Sequence, residues 1–281
     1  MLFNYPYPVK YIELQGGVNT AYMDYGSGPQ TYVFIHGLAN YGPVWKFQME
    51  SLSLTSRCIA IDLPGNGYSK GKDYPYNIFF YAECVKNFCE QLALTNVKLT
   101  GHSMGGQIAL MLGLRYGAMF DKLNLIAPAG LEAFSLSDKL LMESMLSFGE
   151  MMYSDEVHIN SAIKDGFFKQ HQEQQTIIND MITLLNHTNK TEWRKMTKSC
   201  ILSMLNDEVY PHLQLLNLPV TIIFGEADAL IPNKLLHPHL SIEKLLLHAE
   251  TCIPNCETHV IKQAGHFVQI EKYKDVNKLL I

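Results

Sequence analysis

The sequence lacks a run of about 18 consecutive apolar residues without charge, which a membrane-spanning helix requires. Its N-terminus, MLFNYPYPVKYIEL, contains two prolines and has neither the basic start nor the apolar stretch of a signal peptide. These two absences exclude the usual signatures of membrane and exported proteins. We therefore expect a chain without a membrane span that is located in the cytoplasm.

Positive charge is also scarce. The 281 residues include 22 Lys and Arg against 27 Asp and Glu, which gives a formal net charge of −5. The basic residues are dispersed along the chain, so they form no patch that could follow a phosphate backbone. Nucleic acid is therefore not an expected partner.

Cysteine is sparse as well, with six residues scattered over a chain that is long enough to build its own core. This distribution is typical of reduced, mostly buried thiols. Cys252 and Cys256 lie close together, and His248 and His259 are near them, but their spacing matches no standard zinc pattern. We therefore predict no metal site, and no residue pattern implies a cofactor.

Short apolar runs that end at turn residues predict a series of strands. These runs are YIEL (11–14), NTAYMDYG (19–26), TYVFIH (31–36), CIAI (58–61), NVKLT (96–100), KLNLIAPAG (122–130), LPVTIIFG (218–225) and THVIKQAG (258–265). Helical periodicity separates several of them, for example over residues 77–94. Alternating strands and helices indicate a parallel sheet that is covered on both faces.

Between residues 131 and 207 the periodicity is helical and no strand run occurs. The sequence therefore predicts an α/β fold whose mostly parallel central sheet has helices on both faces and a helical cap inserted after the sixth strand. We assign residues 1–130 and 191–281 to the core domain and residues 131–190 to the cap.

The segment GHSMGG (101–106) places Ser103 between a predicted strand and a predicted helix. Gly101 and Gly105 flank the serine at two residues' distance, where a Cβ would clash if the backbone turned sharply. Such a turn holds a serine hydroxyl exposed at the end of a strand. Ser103 is therefore a candidate nucleophile.

A nucleophilic serine needs a histidine as base, and that histidine needs an orienting carboxylate. Asp228 follows the strand at 218–225, and His266 follows the strand at 258–265. Because the carboxyl ends of parallel strands meet at one edge of a sheet, we expect these two side chains to converge on Ser103. Their order along the chain, Ser then Asp then His, is also the order expected for this kind of site.

The negative charge that forms on a substrate carbonyl oxygen needs backbone donors. The amide of Met104 follows the nucleophile directly. Gly37, at the end of the FIHG strand, permits close approach, so the amide of Leu38 is the expected second donor. His36 beside it is expected to have a structural role.

Together the segments FIHGLAN, DLPGNGYS, GHSMGG, GEADALIP and AGHFVQIEK resemble those of the α/β-hydrolase fold family, in its capped serine hydrolase subgroup of esterases and carbon–carbon bond hydrolases. The resemblance covers nearly the whole chain and implies the catalytic triad Ser103, Asp228 and His266 and the oxyanion donors Leu38 and Met104. Two features depart from it. Asn66 replaces a frequent histidine, and the stretch between Asp228 and His266 is longer than usual, with an extra helix expected around HPHLSIEKLL.

The resemblance implies an enzyme that acts on a small molecule, and a carboxylic ester or thioester is the leading substrate. Related dehalogenases and epoxide hydrolases have an aspartate where this chain has Ser103. Carbon–carbon bond hydrolases and perhydrolases keep the serine triad and remain alternatives. The former commonly use a cap arginine to bind a substrate carboxylate, and Arg194 is the arginine of the inserted region. A ligand receptor on the same scaffold is the alternative that is not an enzyme.

Four side chains are candidates for the substrate pocket. Tyr41 and Trp45 follow the loop of Leu38, and Met145 and Phe148 lie on an apolar helix face of the cap. Packing within the core or between helices is the alternative for each of them. The sequence does not indicate the natural substrate or the oligomeric state.

Overall fold

The computed structural model describes residues 3–148 and 155–281, and within them eight strands form one sheet. The strands are β1 (Val9–Leu14), β2 (Val18–Tyr25), β3 (Thr31–Ile35), β4 (Arg57–Ile61), β5 (Val97–His102), β6 (Lys122–Ile126), β7 (Val220–Gly225) and β8 (Cys256–Ile261). Their order is β1-β2-β4-β3-β5-β6-β7-β8. Only β2 pairs antiparallel, with β1 and β4, so the sheet is mostly parallel.

Helices surround this sheet. They are α1 (Lys46–Leu52), α2 (Ile78–Gln91), α3 (Met104–Tyr116), α4 (Leu136–Phe148), α5 (Glu156–Asp165), α6 (Gln172–His187), α7 (Lys190–Asn206), α8 (Ile242–Cys252), α9 (Val268–Glu271) and α10 (Tyr273–Leu280). Every residue of β3 and β7 is buried, as expected for strands covered on both faces. The fold class predicted from the sequence is confirmed, including helices inserted after the sixth strand. The extra helix expected between Asp228 and His266 is α8.

Capping explains where several helices begin. The Asn77 side chain accepts a hydrogen bond from the amide of Phe80 at the start of α2, and Asp155 caps α5 through the amide of His158. Such side chains satisfy amides that have no partner within the helix. Each of these caps joins residues that are close in sequence, so such helix starts can be recognised from the sequence alone.

The helix α7 joins the inserted helices to the core. It packs on α4 and α6 and also on α2. The Ser203 hydroxyl accepts a hydrogen bond from the amide of Ile78 at 2.7 Å, and the Gln107 side chain donates to the carbonyl of Met204 at 3.0 Å. The proposed division at residue 190 therefore falls at the start of a helix that contacts both parts. Across the described residues, no helix has the length and apolarity that crossing a bilayer requires.

Candidate active site

Ser103 occupies a sharp turn between β5 and α3. Its φ of 54° lies in the left-handed region, which costs energy for any residue with a side chain. A Cβ on Gly101 would lie 2.2 Å from the carbonyl oxygen of Gly105, and a Cβ on Gly105 would lie 2.3 Å from that of Ile35. The turn therefore requires glycine at both positions. It is held in place by the Ser103 amide, which donates to the carbonyl of Ile126 at 3.0 Å.

Asp228 and His266 lie beyond the ends of β7 and β8 and contact each other. The distance from His266 Nδ1 to Asp228 Oδ2 is 2.8 Å, and both side chains are buried. The other carboxylate oxygen, Oδ1, accepts from the amides of Leu230 at 2.9 Å and Ile231 at 3.0 Å. These contacts fix the carboxylate and place the imidazole proton on Nδ1, so Nε2 is the basic nitrogen. Ser103 and His266 line the same cavity.

The loop that carries His266 is tied to the cap. Glu271 Oε2 accepts from the amide of Gly265 at 2.6 Å, while its Oε1 accepts from the amide of Phe168 in the cap at 3.0 Å. The rings of Phe167 and Phe267 stack with centroids 4.8 Å apart. The Glu271 carboxylate therefore links the loop that carries His266 to the inserted region. We did not predict this role for Glu271, although its place five residues after His266 is visible in the sequence.

The loop of residues 37–42, which we call the oxyanion loop, lies against the nucleophile. A Cβ on Gly37 would approach the Cβ of Ser103 to 3.0 Å, so the absence of a side chain permits this contact. Met104 is the first residue of α3, where an amide has no partner within the helix and the helix dipole favours negative charge. Leu38 lines the cavity. The roles of the Leu38 and Met104 amides as oxyanion donors remain proposals.

Two buried ionisable groups support the oxyanion loop. His36 Nδ1 donates to the carbonyl of Gly37 at 2.7 Å, and its Nε2 accepts from the amide of Leu63 at 3.0 Å. Burial lowers the pKa of His36 to about 4, so the ring is neutral. Asp62 accepts from the amide of Gly42 at 2.7 Å, and burial raises the pKa of this carboxyl to about 6. These contacts give His36 a structural place beneath the loop, as we expected.

The cavity at Ser103 has a volume of about 150 Å³ and a mostly apolar wall. Its apolar side chains are those of Leu38, Ala129, Phe134, Met142, Leu146, Ile201, Met204, Leu205, Leu230, Ile231 and Phe267. Its polar side chains are those of Asn40, His102, Ser103, Glu132, Asn233 and His266. The catalytic candidates Ser103 and His266 therefore line a mostly apolar cavity whose wall includes residues of the inserted helices.

The predicted pocket residues need correction. The hydroxyl of Tyr41 donates a hydrogen bond to Asp180 at 2.5 Å. Trp45 is fully buried, and the centroid of its ring lies 5.1 Å from that of Phe34. Both side chains therefore pack within the core instead of lining the cavity. Met145 is half-buried on α4 and is not among the residues that line the cavity, which on this helix are Met142 and Leu146. The side chain of Phe148 lies outside the described part of the chain.

Glu132 and Asn233 belong to the cavity wall and were not predicted. Glu132 follows β6, and Asn233 lies in the long segment after Asp228. A polar residue just beyond the carboxyl end of a parallel strand is a signal that could have indicated Glu132. Within the described ranges, no group of three or more His, Cys, Asp or Glu side chains could hold a metal ion.

Comparison with known proteins places this chain in a family. A family model described as the alpha/beta hydrolase fold matches residues 32–273. The uncharacterized hydrolase YugF of Bacillus subtilis is 27% identical over 278 residues, which cover 91% of this chain and 90% of that protein. An esterase structure from Exiguobacterium antarcticum superposes with a TM-score of 0.78 at 21% identity and covers 96% of this chain and 97% of the other.

A longer relative is the dihydrolipoyllysine-residue acetyltransferase component of the acetoin cleaving system of Cupriavidus necator, which is 24% identical over 266 residues. The match covers 94% of this chain but 66% of that protein, so this chain spans slightly less than two thirds of its length. The family model nevertheless covers most of this chain, including Ser103, Asp228 and His266. The chain therefore belongs to the α/β-hydrolase fold family.

Proposed function

We propose that this chain, a hydrolase of the α/β-hydrolase type, cleaves a small to medium, largely apolar carboxylic ester or thioester through an acyl-enzyme intermediate. One observation carries the proposal: Ser103, on its strained turn, lines the same cavity as His266, whose Nδ1 is held 2.8 Å from Asp228. This is the arrangement that nucleophilic acyl transfer requires.

Each residue has a defined part in the proposed reaction. Ser103 Oγ attacks the carbonyl carbon while His266 Nε2 takes its proton, and Asp228 stabilises the imidazolium that forms. The amides of Leu38 and Met104 donate to the oxyanion. His266 then gives the proton to the leaving alcohol or thiol. In the second half of the cycle a water molecule attacks the acyl-enzyme with His266 again as base. His266 then returns the proton to Ser103 Oγ as the bond between this oxygen and the acyl group breaks and the carboxylic acid leaves.

The cavity supports the substrate size. An apolar protein cavity of roughly 150 Å³ accommodates a ligand the size of benzene, and the volume here is about 150 Å³. Its apolar wall favours a hydrocarbon group, whose burial contributes roughly 0.8 kcal/mol per methylene. We therefore expect acyl groups of about four to six carbons to fit best.

The proposal is tested with 4-nitrophenyl esters whose acyl chains contain two to twelve carbons. We expect kcat/KM to be highest near four to six carbons, and a pre-steady-state burst of nitrophenolate stoichiometric with the enzyme where deacylation limits the rate. A 4-nitrophenyl thioester series tests the thioester alternative. Absence of hydrolysis across both series, with folded protein, would contradict the proposed function.

The inserted helices are expected to influence which acyl chain fits, and one side chain of α4 allows a specific test. Met142 is 6% exposed and lines the cavity, so Met142→Ala should lengthen the chamber. We expect the ratio of eight-carbon to four-carbon activity to rise about 10-fold, because fitting or excluding a methylene contributes roughly 1–3 kcal/mol. Met145→Ala on the same helix is the matched control. Equal shifts in both variants, or none in Met142→Ala, would show that α4 does not set chain-length preference.

A further inference from the structure

Among the described residues that line the Ser103 cavity, Glu132 is the one Asp, Glu, Lys or Arg side chain, and the proposed reaction gives it no part. We propose that Glu132 selects substrates by charge, so that the enzyme takes uncharged or cationic esters and rejects those that carry a second, anionic carboxylate. This inference rests on the proposed esterase function and deepens it.

Glu132 is held as a carboxylate. It is 7% exposed, and its Oε1 accepts from the amide of Asn233 at 3.0 Å and from His237 Nδ1 at 2.8 Å. Its Oε2 lies 3.2 Å from the same Asn233 amide. The Asn233 amide can only donate, and His237 Nδ1 donates in the tautomer that carries its proton there. Donors of this kind favour the ionised form over a protonated acid. Because a carboxylate offers about four acceptor positions, one remains for a donor on the substrate.

Glu132 lines the Ser103 cavity and also a second cavity whose wall includes His237. His237 stacks on Phe134 with ring centroids 5.1 Å apart, and its Nε2 lies 3.8 Å from Asp138 Oδ2. The imidazole thus lies between two carboxylates and outside the described lining of the Ser103 cavity. Burial raises the pKa of the Glu132 carboxyl, and the hydrogen bonds from His237 and Asn233 oppose that shift. The positive charge of Lys234, which lies outside the described lining of the Ser103 cavity, also opposes it. The assays are therefore carried out at pH 8, because a higher pH favours the ionised form of the Glu132 carboxyl.

The rest of the described lining offers an anion no countercharge. None of the described lining residues is Lys or Arg, and Arg194 is exposed on α7. An enzyme that bound a substrate carboxylate in this cavity would need such a cation. Two like charges about 8 Å apart, at an effective dielectric constant of about 20, correspond to roughly 30-fold discrimination.

The test uses esters that differ in charge and little in shape. On the acyl side these are 4-nitrophenyl butyrate, mono-4-nitrophenyl succinate and the 4-nitrophenyl ester of β-alanine. On the alcohol side they are the butyryl esters of 4-hydroxybenzamide and 4-hydroxybenzoate. We expect kcat/KM for the neutral ester to exceed that for the anionic one by about 30-fold or more in at least one series. In Glu132→Gln, which keeps an acceptor for Asn233 and His237, the ratio should fall to within about 3-fold.

Asp138→Asn is the matched control, because it removes a carboxylate on the other side of His237. It should keep the wild-type ratio, and its melting temperature and that of Glu132→Gln should show that both variants fold. A wild-type enzyme without charge preference in either series, or one whose preference survives in Glu132→Gln, would overturn the inference. So would an equal loss of preference in Asp138→Asn.

A binding measurement separates this inference from the proposed function. If the wild-type protein hydrolyses none of the esters, the proposed function has failed, but Glu132 can still be tested with hexylamine, hexanol and hexanoate. The charge-selection inference predicts that hexylamine and hexanol raise the wild-type melting temperature more than hexanoate, and that this order disappears in Glu132→Gln. An equal effect of the three ligands on the wild type would contradict it.

Discussion

Ser103→Ala is expected to lower kcat by about 10⁴- to 10⁶-fold, because the variant has no oxygen with which to form the acyl-enzyme. The substitution removes one atom and keeps the Cβ, so the turn at φ 54° is equally strained in both proteins. The amide of residue 103 still donates to the carbonyl of Ile126. We therefore expect the variant to fold with an unchanged melting temperature and to bind substrate without turnover.

Labelling with a fluorophosphonate probe, followed by peptide mass spectrometry, tests directly whether the Ser103 hydroxyl is the nucleophile. The probe should modify Ser103 in the wild type and leave the Ser103→Ala protein unlabelled. Ser161→Ala, which removes an exposed hydroxyl from α5, is the matched control and should keep both labelling and turnover. An adduct on another residue, or esterase activity retained in Ser103→Ala, would show that the nucleophile lies elsewhere.

The turn at Ser103 could be predicted because the glycines that it requires stand within six residues of sequence. In the structure a Cβ on Gly101 would lie 2.2 Å from the carbonyl oxygen of Gly105, and a Cβ on Gly105 would lie 2.3 Å from that of Ile35. The strands were predictable for a related reason. A fully buried parallel strand such as β3 or β7 reads as a short apolar run whichever strands lie beside it.

The pocket wall could not be predicted in the same way. Periodicity indicated that one face of α4 is apolar, but it could not show which of Met142 and Met145 faces Ser103. That choice depends on how α4 packs on α7, whose lining residues Ile201, Met204 and Leu205 come from a distant part of the chain. The prediction that Tyr41 lines the pocket was wrong for a related reason. Asp180, which accepts a hydrogen bond from the Tyr41 hydroxyl, lies 139 positions away in the sequence.

The polar contacts around the site also depend on pairing across long distances in sequence. Glu132 meets Asn233 and His237 more than 100 residues later, inside the segment whose unusual length was noticed without a role. In the structure this segment supplies part of the cavity wall through Leu230, Ile231 and Asn233. The composition of this segment alone therefore did not show that it contributes to the cavity wall.

Asp228→Asn is expected to lower kcat by about 10⁴-fold while leaving the fold intact, through a reversal of one hydrogen bond. In the wild type Oδ1 accepts from the amides of Leu230 and Ile231, and Oδ2 accepts from His266 Nδ1. The asparagine oxygen must take the place of Oδ1, because two backbone donors point at it. The amide nitrogen then faces His266, whose Nδ1 must become the acceptor.

That reversal moves the imidazole proton to Nε2, so His266 can no longer take the proton of Ser103. Fluorophosphonate labelling of Ser103 should slow together with kcat, whereas KM and the melting temperature should change little.

Asp24→Asn is the matched control. It alters a partly buried carboxylate that pairs with Arg57 at 3.0 Å. This carboxylate lies on β2, and four strands stand between β2 and β7 in the sheet order. This control should keep wild-type kcat and labelling rate. If Asp228→Asn retained more than about a tenth of wild-type kcat, the carboxylate would not be setting the tautomer of His266. A loss of activity that comes with a large fall in melting temperature would instead assign Asp228 to the stability of the loop after β7.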